Sequence, residues 1–358
     1  MFFRNCLVVA LLSVCFINQI QSATVPTKPK PPVKPAVAVQ PAQPQGPIVL
    51  KRVFTPGKTN RFRIVLHIKG DFQTPTVETM FPVKQVLERI INIKTSSITP
   101  DGTADVTFDY ETYKIKTSEF CDSPTKTFNV DVGEPIDIIL SPLNVIIAVK
   151  KERLPKNRQH SITNFDEMLL LGNHSQKREV YQSLGGGIVV DSMMELVKFE
   201  RLLDFGPQYP PTPVKVGDTW TQEISYVPGK VTADANQSSD PGFTRVLMTY
   251  KLDSIKKKGN RELAYISAKF ETDIDAAPMY KEHGFFFEIK KMNAHVSGEL
   301  TYVVDKKTCV MVALSGKSMG NAENSFYFPD PTQESGKYLI KREIAIEVEV
   351  SGKELQSK

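Results

Sequence analysis

Five histidines, His67, His160, His174, His283 and His295, are the first candidates for metal or acid–base chemistry. The nearest two, His283 and His295, stand 12 positions apart, so no HxH or HxxxH pair sets two imidazoles on one face. CxxC is absent as well, and no metal or cofactor is expected. Gly316-Lys317-Ser318 has the ending of a phosphate-binding loop, but Met311 occupies the position of the required upstream glycine. Gly185-Gly186-Gly187 lacks the spacing of a dinucleotide loop and reads as a turn before a β-branched run. A serine nucleophile would need a base and a frame. His160-Ser161 with Asp166, or His283 with a distant serine, supply the residue types, yet no G-x-S-x-G elbow presents a serine. Glu111 and Glu271 share a local context, Tyr110-Glu111-Thr112 and Phe270-Glu271-Thr272, and two equivalent carboxylates would suit an acid and a base. Both fall on the polar parity of their strands, where a solvated face is the simpler account. No catalytic residue is assigned.

The shared context of these glutamates belongs to a longer repetition. Pro56-Gly57-Lys58-Thr59 matches Val216-Gly217-Asp218-Thr219 at an offset of 160, and Val86-Leu87 matches Val246-Leu247 at the same offset. Ala104 and Val106 match Ala264 and Ile266 in the same way. Further on, Val145–Val149 resembles Val310–Leu314 at an offset of 165. The pattern predicts an internal duplication.

The positioning elements are strands. In Arg61–Lys69, Phe62, Ile64, Leu66 and Ile68 alternate with polar residues. Val106, Phe108 and Tyr110 do so in the next run, and Ile344, Ile346, Val348 and Val350 near the end. A period of two with one polar side means antiparallel strands with one wet face. Asp101-Gly102, Gly259-Asn260 and Pro228-Gly229 punctuate them. Between the halves, Asn164–Gly172 and Val190–Phe205 have helical spacing, with Asp191 or Ser192 as a cap. The expected fold is α+β and β-dominated: two related curved antiparallel sheets with a few short helices between and against them. The segments are 1–22, 23–47, an N-terminal β-rich unit 48–158, a partly helical connector 159–210 and a C-terminal β-rich unit 211–358.

Residues 1–22 read as a signal peptide: Arg4, an apolar run from Cys6 to Ile17, then Ser22 before a cut at Ala23. A lipoprotein site at Cys15 is the alternative, with Val14 too large for the position before it. Residues 23–47 are a proline-rich spacer of polyproline II character, or a tail without a role. No later run is long and apolar enough for a transmembrane helix, so the mature chain is expected in a secreted, periplasmic or cell-envelope location. Arg4, Lys28, Lys30 and Lys34 hold four of the five net positive charges, which leaves the body near neutral. With no basic stripe interleaved with aromatics, nucleic acid is not an expected partner. Cys121 and Cys309 remain after cleavage. They either form a disulfide, worth about 4–5 kcal/mol at most for so long a loop, or stay as two thiols, Cys309 mid-strand. Asn173-His174-Ser175 and Asn236-Gln237-Ser238 fit the N-glycosylation pattern, which has meaning only in a eukaryote.

Pro211–Trp220 (PTPVKVGDTW) resembles an uncharacterised family of secreted bacterial proteins, a domain of unknown function with a P-x-x-V-x-V-G-D-x-W motif. Phe54–Ile64 is similar to the opening strand of that family. The resemblance spans most of the chain after the spacer and implies no activity. Physically, Gly217-Asp218 makes a turn and Trp220 starts a strand with its indole inward, in the core or lining a ligand pocket with Phe62. Three function classes follow. The first is a non-catalytic extracytoplasmic binding protein for an apolar or lipid-like small molecule, consistent with aromatic runs such as Phe285-Phe286-Phe287. The second is a structural or interaction module contacting an envelope protein. The third is a hydrolase with an unrecognised site.

Overall fold

Period-two alternation becomes strand throughout a computed structural model that describes residues 46–74, 77–118, 126–129, 135–151, 206–226, 244–275, 288–329 and 336–355. In chain order these are β1 (Thr59–Thr74), β2 (Val77–Ile98), β3 (Ala104–Ser118), β4 (Lys126–Asn129), β5 (Ile136–Leu140) and β6 (Ile146–Lys151). After a long interval come β7 (Thr219–Tyr226), β8 (Thr244–Lys258), β9 (Arg261–Asp275), β10 (Glu288–Asp305), β11 (Met311–Pro329) and β12 (Lys337–Leu355). All pair antiparallel in a single sheet of order β6-β5-β3-β2-β1-β12-β11-β10-β9-β8-β7, with β4 beside the end of β3. The expectation of two sheets is corrected. β12 pairs with β1 on one side and β11 on the other, and so joins the halves. The helical candidates at 164–172 and 190–205 lie outside the described residues, as do Cys121, Gly185–Gly187 and the sequons at Asn173 and Asn236.

One side of this sheet is apolar. Phe62, Ile64 and Leu66 of β1, Leu87 and Ile91 of β2, Val106 and Phe108 of β3 and Val348 of β12 are buried in one core with Tyr250, Ile266, Val296 and Tyr302 of the other half. Each such Leu, Ile or Phe contributes roughly 1.5–3 kcal/mol on burial. A core shared by both halves requires a curved sheet. Gly298 of β10 lies opposite Phe270 of β9 and Ser318 of β11. A Cβ there would fall 2.6 Å from Phe270 Cζ and 2.8 Å from Ser318 Cβ. The ring covers the missing side chain, a recognised device for bending a sheet at glycine.

The turns at 99–103, 141–145, 259–260 and 305–311 all lie at one end, called here the turn end. Two segments cross it. Ile48 and Val214 exchange both backbone hydrogen bonds at 2.8 and 2.9 Å, while Leu50, Tyr209 and Val214 are buried beneath. Arg52 N donates to Pro142 O, Val53 N to Thr308 O and Tyr209 N to Leu143 O.

Two turns here, one from each half, are alike. Thr55–Lys58 and Lys215–Asp218 are the same turn, closed by Lys58 N to Thr55 O and Asp218 N to Lys215 O. Each has a positive-φ glycine at its third position, Gly57 (φ 75) and Gly217 (φ 97), as a type II turn demands. Gly57 N donates to Thr95 O and Gly217 N to Leu252 O, and a register shift follows each acceptor, at Thr95/Ser97 and Leu252/Ser254. Asn144 (φ 61) and Cys309 (φ 50), 165 residues apart and the positive-φ non-glycine residues among those described, each end a hairpin turn, the second one residue longer than the first. The offset is not uniform. Thr95 and Leu252 are 157 apart, and this odd slip of three against 160 exchanges faces. Leu87 is therefore fully buried while Leu247 is 55 % exposed.

Candidate functional site

Phe62 and Trp220, the sequence candidates for a pocket lining, both belong to the packed core, at 2 % and 9 % exposure. Trp220 stacks on Tyr250 with ring centroids 5.5 Å apart, and its Nε1–H donates to Gln208 O at 3.0 Å. Cys309 is not mid-strand. It closes the β10–β11 turn, where Asp305 Oδ1 accepts from Lys307 N, Thr308 N and Thr308 Oγ1 and Cys309 N donates to Asp305 O. A side chain that captures the next backbone N–H groups forces this reversal and sends β11 back along β10. Its thiol is free and buried over Lys306 O, and burial pushes it up to about 11. Its proposed partner Cys121 is outside the described residues.

A buried polar knot at the turn end escaped sequence reasoning. Arg52 Nη1 donates to Asn144 Oδ1 at 2.7 Å, Asn144 Nδ2 to Pro207 O at 2.9 Å, and Tyr209 Oη to Cys309 O at 2.6 Å. Burial pulls the Arg52 guanidinium down to about 10, with Tyr209 and Cys309 acting in the opposite sense. Burial likewise raises the Tyr209 phenol. Arg52 also lies over the Phe54 ring, 5.2 Å from its centroid. These bonds tie both crossing segments to both hairpin turns, so the knot positions the turn end. It has no solvent-facing reactive group.

The two glutamates sit on the outer, wet face, with five strands between β3 and β9. Glu111, at a register shift of β3, takes a bidentate bond from Arg61 Nε (2.6 Å) and Nη2 (2.5 Å). Glu271 instead meets His295 of β10. His295 Nε2 is 3.4 Å from Glu271 Oε1, and Nδ1 is 2.8 Å from Asp273 Oδ1. Both ring nitrogens thus face exposed carboxylates, whereas a hydrolase nucleophile would have to hydrogen-bond to one of them. A hollow of about 840 Å³ on this face is lined by Leu247, Lys269, Gly298, Glu299, Lys317 and Met319. A second, about 430 Å³, includes Arg61, Lys94, Asp109 and Glu111. Phe62 and Trp220 border neither. Among the described residues no group of three or more His, Cys, Asp or Glu is arranged to hold a metal ion, and no helix is long and apolar enough to cross a membrane.

Away from the turn end, the register carries the apolar parity onward. Phe72 of β1 is paired with Phe81 of β2 and Ile344 of β12; Phe326 of β11 is paired with Ile340 of β12 and Ile289 of β10. These positions continue the rows that contain Ile68, Ile346 and Ala322 in the core.

No protein-family model and no curated protein matches the chain. Among solved structures, one of lipovitellin, concerned with lipid–protein interactions, shares 10% identity at a TM-score of 0.36; the match covers 85% of this chain and 25% of the lipovitellin chain. OccK7 (OpdD) from Pseudomonas aeruginosa shares 8% identity at a TM-score of 0.23, over 84% of this chain and 99% of its own. The outer membrane protein OprG from Pseudomonas aeruginosa shares 7% at 0.18, over 84% and 99%. Likenesses this faint carry no argument about what the chain does, and its function has to be argued from its own strands.

Proposed function

We propose that the protein acts after export as a non-catalytic binding protein for an apolar, lipid-like molecule, held against the apolar side of the sheet beyond its packed core. The observation that carries this is the continued register of Phe72, Phe81, Ile289, Phe326, Ile340 and Ile344. Five central strands carry apolar residues in register at these positions, at the end of the sheet away from the turns, and a hydrocarbon partner is favoured by such residue types at roughly 25 cal/mol per Å² of apolar surface removed from water. The matching turns and register shifts of the two halves support descent from one duplicated unit, which would give the ligand two related walls.

A second reading, as an interaction module, is favoured by the sheet edges. Among the described strands β6 and β7 each have one neighbour, and Ile147 of β6 is 55 % exposed. Such an edge can accept a further strand.

Native mass spectrometry of the protein purified from its own source tests the first reading. The expected result is a mass above that of the polypeptide, with the excess extractable into organic solvent. A clean polypeptide mass, together with no fluorescence gain from an added apolar dye, would refute it.

A further inference from the structure

Many charges of the outer face are matched across neighbouring strands, though Lys341 and Lys353 of β12, both exposed, form no ion pair within 4 Å among the described residues. Across β9 to β12 each of four cations meets a carboxylate: Lys269 with Glu299 (2.5 Å), Lys317 with Glu349 (2.6 Å), Lys291 with Glu323, and His295 with Asp273 and Glu271. On β1 to β3 Arg61 and Arg63 are matched in the same way, by Glu111 and Glu88, but a group of lysines is not. Lys69 of β1 stands directly opposite Lys84 of β2, an arrangement that opposes strand pairing. Lys116 of β3 lies opposite Val86, diagonal to Lys84, and Lys114 lies two residues along the same strand. All four lysines are exposed, and none forms an ion pair within 4 Å among the described residues. The nearby carboxylates in the register are Glu88, Glu347 and Glu349, with Asp71 two residues along β1 from Lys69. Glu88 is bonded to Arg63 at 2.7 Å, Glu349 belongs to Lys317, and Glu347 faces Lys69 across the β1–β12 pair. Glu88 is held below the usual carboxylate range by the Arg63 bond and, beyond it, by Lys116 and Lys114, as a local positive potential requires.

The place of this cluster matters as much as its charge. Lys69, Lys84 and Lys116 lie away from the turn end, beside the stretch where Phe72 and Phe81 pair. We infer that this face docks on an anionic phospholipid surface, bringing the far end of the sheet against the lipid from which an apolar ligand is taken or to which it is given. The inference rests on the ligand-binding reading for its purpose and on the lysines for its geometry. A field of lysines suits a headgroup layer because lysine acts as a mobile point charge that needs no fixed partner geometry. No aromatic residue interleaves with it to stack a base.

The test is co-sedimentation of the mature chain with vesicles of phosphatidylglycerol and phosphatidylcholine, against vesicles of phosphatidylcholine alone. Binding is expected only to the anionic vesicles, and it should fail near 0.5 M salt, where the Debye length is about 4 Å. Each lysine neutralised should weaken it about fivefold, so K69Q/K84Q/K116Q should lose about 100-fold. The control K269Q/K317Q, on the matched side, should bind as the unaltered chain does. Equal binding to both vesicle types, or a lysine triple variant that still binds with its strand circular dichroism intact, overturns the inference. So does tighter binding to soluble heparin oligosaccharide than to vesicles, which would assign the field to a polyanionic chain. Native mass spectra of the same proteins separate the two readings. Docking lost with bound ligand retained supports the lysine field; a clean polypeptide mass with docking intact sinks only the ligand.

Discussion

Replacing Gly298 with alanine tests whether the bend of the sheet depends on Phe270 lying over a missing side chain. The new methyl would stand 2.6 and 2.7 Å from two ring carbons of Phe270 and 2.8 Å from Ser318 Cβ. All three are well inside van der Waals contact, and Phe270 is itself buried at 6 % exposure, so the ring has little room to move. Overpacking of this kind costs typically 1–3 kcal/mol, and with three atoms in conflict Gly298→Ala should cost about 2 kcal/mol. Phe270→Leu alone removes the ring and should also cost about 2 kcal/mol, through lost packing over the glycine. The two losses should not add. Leucine ends short of the ring's far edge, so in that background the methyl meets only Ser318, and its cost should fall to about 1 kcal/mol. A coupling of roughly 1 kcal/mol is therefore expected from the four-protein cycle, read as urea midpoints at a constant m-value. Additivity within about 0.3 kcal/mol would refute the account of the bend, as would a neutral Gly298→Ala.

Two further perturbations address the β10–β11 turn. Cys309 holds a φ of 50, which costs a side-chain-bearing residue roughly 1–2 kcal/mol, so Cys309→Gly should offset its lost burial and stay within about 1 kcal/mol of the parent. Cys309→Val, β-branched at the same φ, should lose about 3 kcal/mol or more in the same urea titration. Burial alone would raise the Asp305 carboxyl, but bonds from Arg261 and Thr308 hold it below its ordinary value. Its contribution is thus complete above pH ~4 and lost as pH falls through the depressed value; Asp305→Asn should cost about 1 kcal/mol at neutral pH and flatten the acid limb of the stability profile. An acid limb unchanged in the asparagine variant would disprove that assignment.

Strand faces were legible wherever alternation was clean. Phe62–Ile68, Val106–Phe108 and Ile346–Val350 are buried on the parity their sequence predicts. Partners were not legible, because alternation says which side of a strand is apolar and nothing about its neighbour. Glu271 and His295 are 24 residues apart and meet only through the β9–β10 register. The misreading of Cys309 had a visible remedy. The apolar run Cys309–Leu314 resembles one strand, but Asp305-Lys306-Lys307-Thr308 just before it carries an Asp able to accept the backbone bonds of a turn. Arg52 gave no such signal, since it precedes the first strand and its burial comes from segments 90 and more residues away. Arg89 did give one: it occupies the core parity between Leu87 and Ile91, is fully buried, and lies 6.0 Å from the Tyr110 ring centroid.

One strand explains why two expected sheets are a single one. The first half runs β1, β2, β3, β5, β6 as neighbours in order, and the second runs β7, β8, β9, β10, β11 in the same way. β12 has no counterpart. It pairs with β1 from Arg61 to Phe72, through its residues Ile344–Leu355, and with β11 from Ala313 to Pro329, along nearly its whole length. A five-stranded meander leaves its first and last strands as open edges, a liability that proteins cover. β12 covers the β1 edge of one meander and the β11 edge of the other at once. Its outward row, with Glu347 opposite Lys69 and Glu349 opposite both His67 and Lys317, also supplies carboxylates to the seam. The lysines of β2 and β3 lie beyond the reach of that row. The carboxylates of β12 therefore stand at the seam, while Lys84, Lys114 and Lys116 lie one and two strands beyond it.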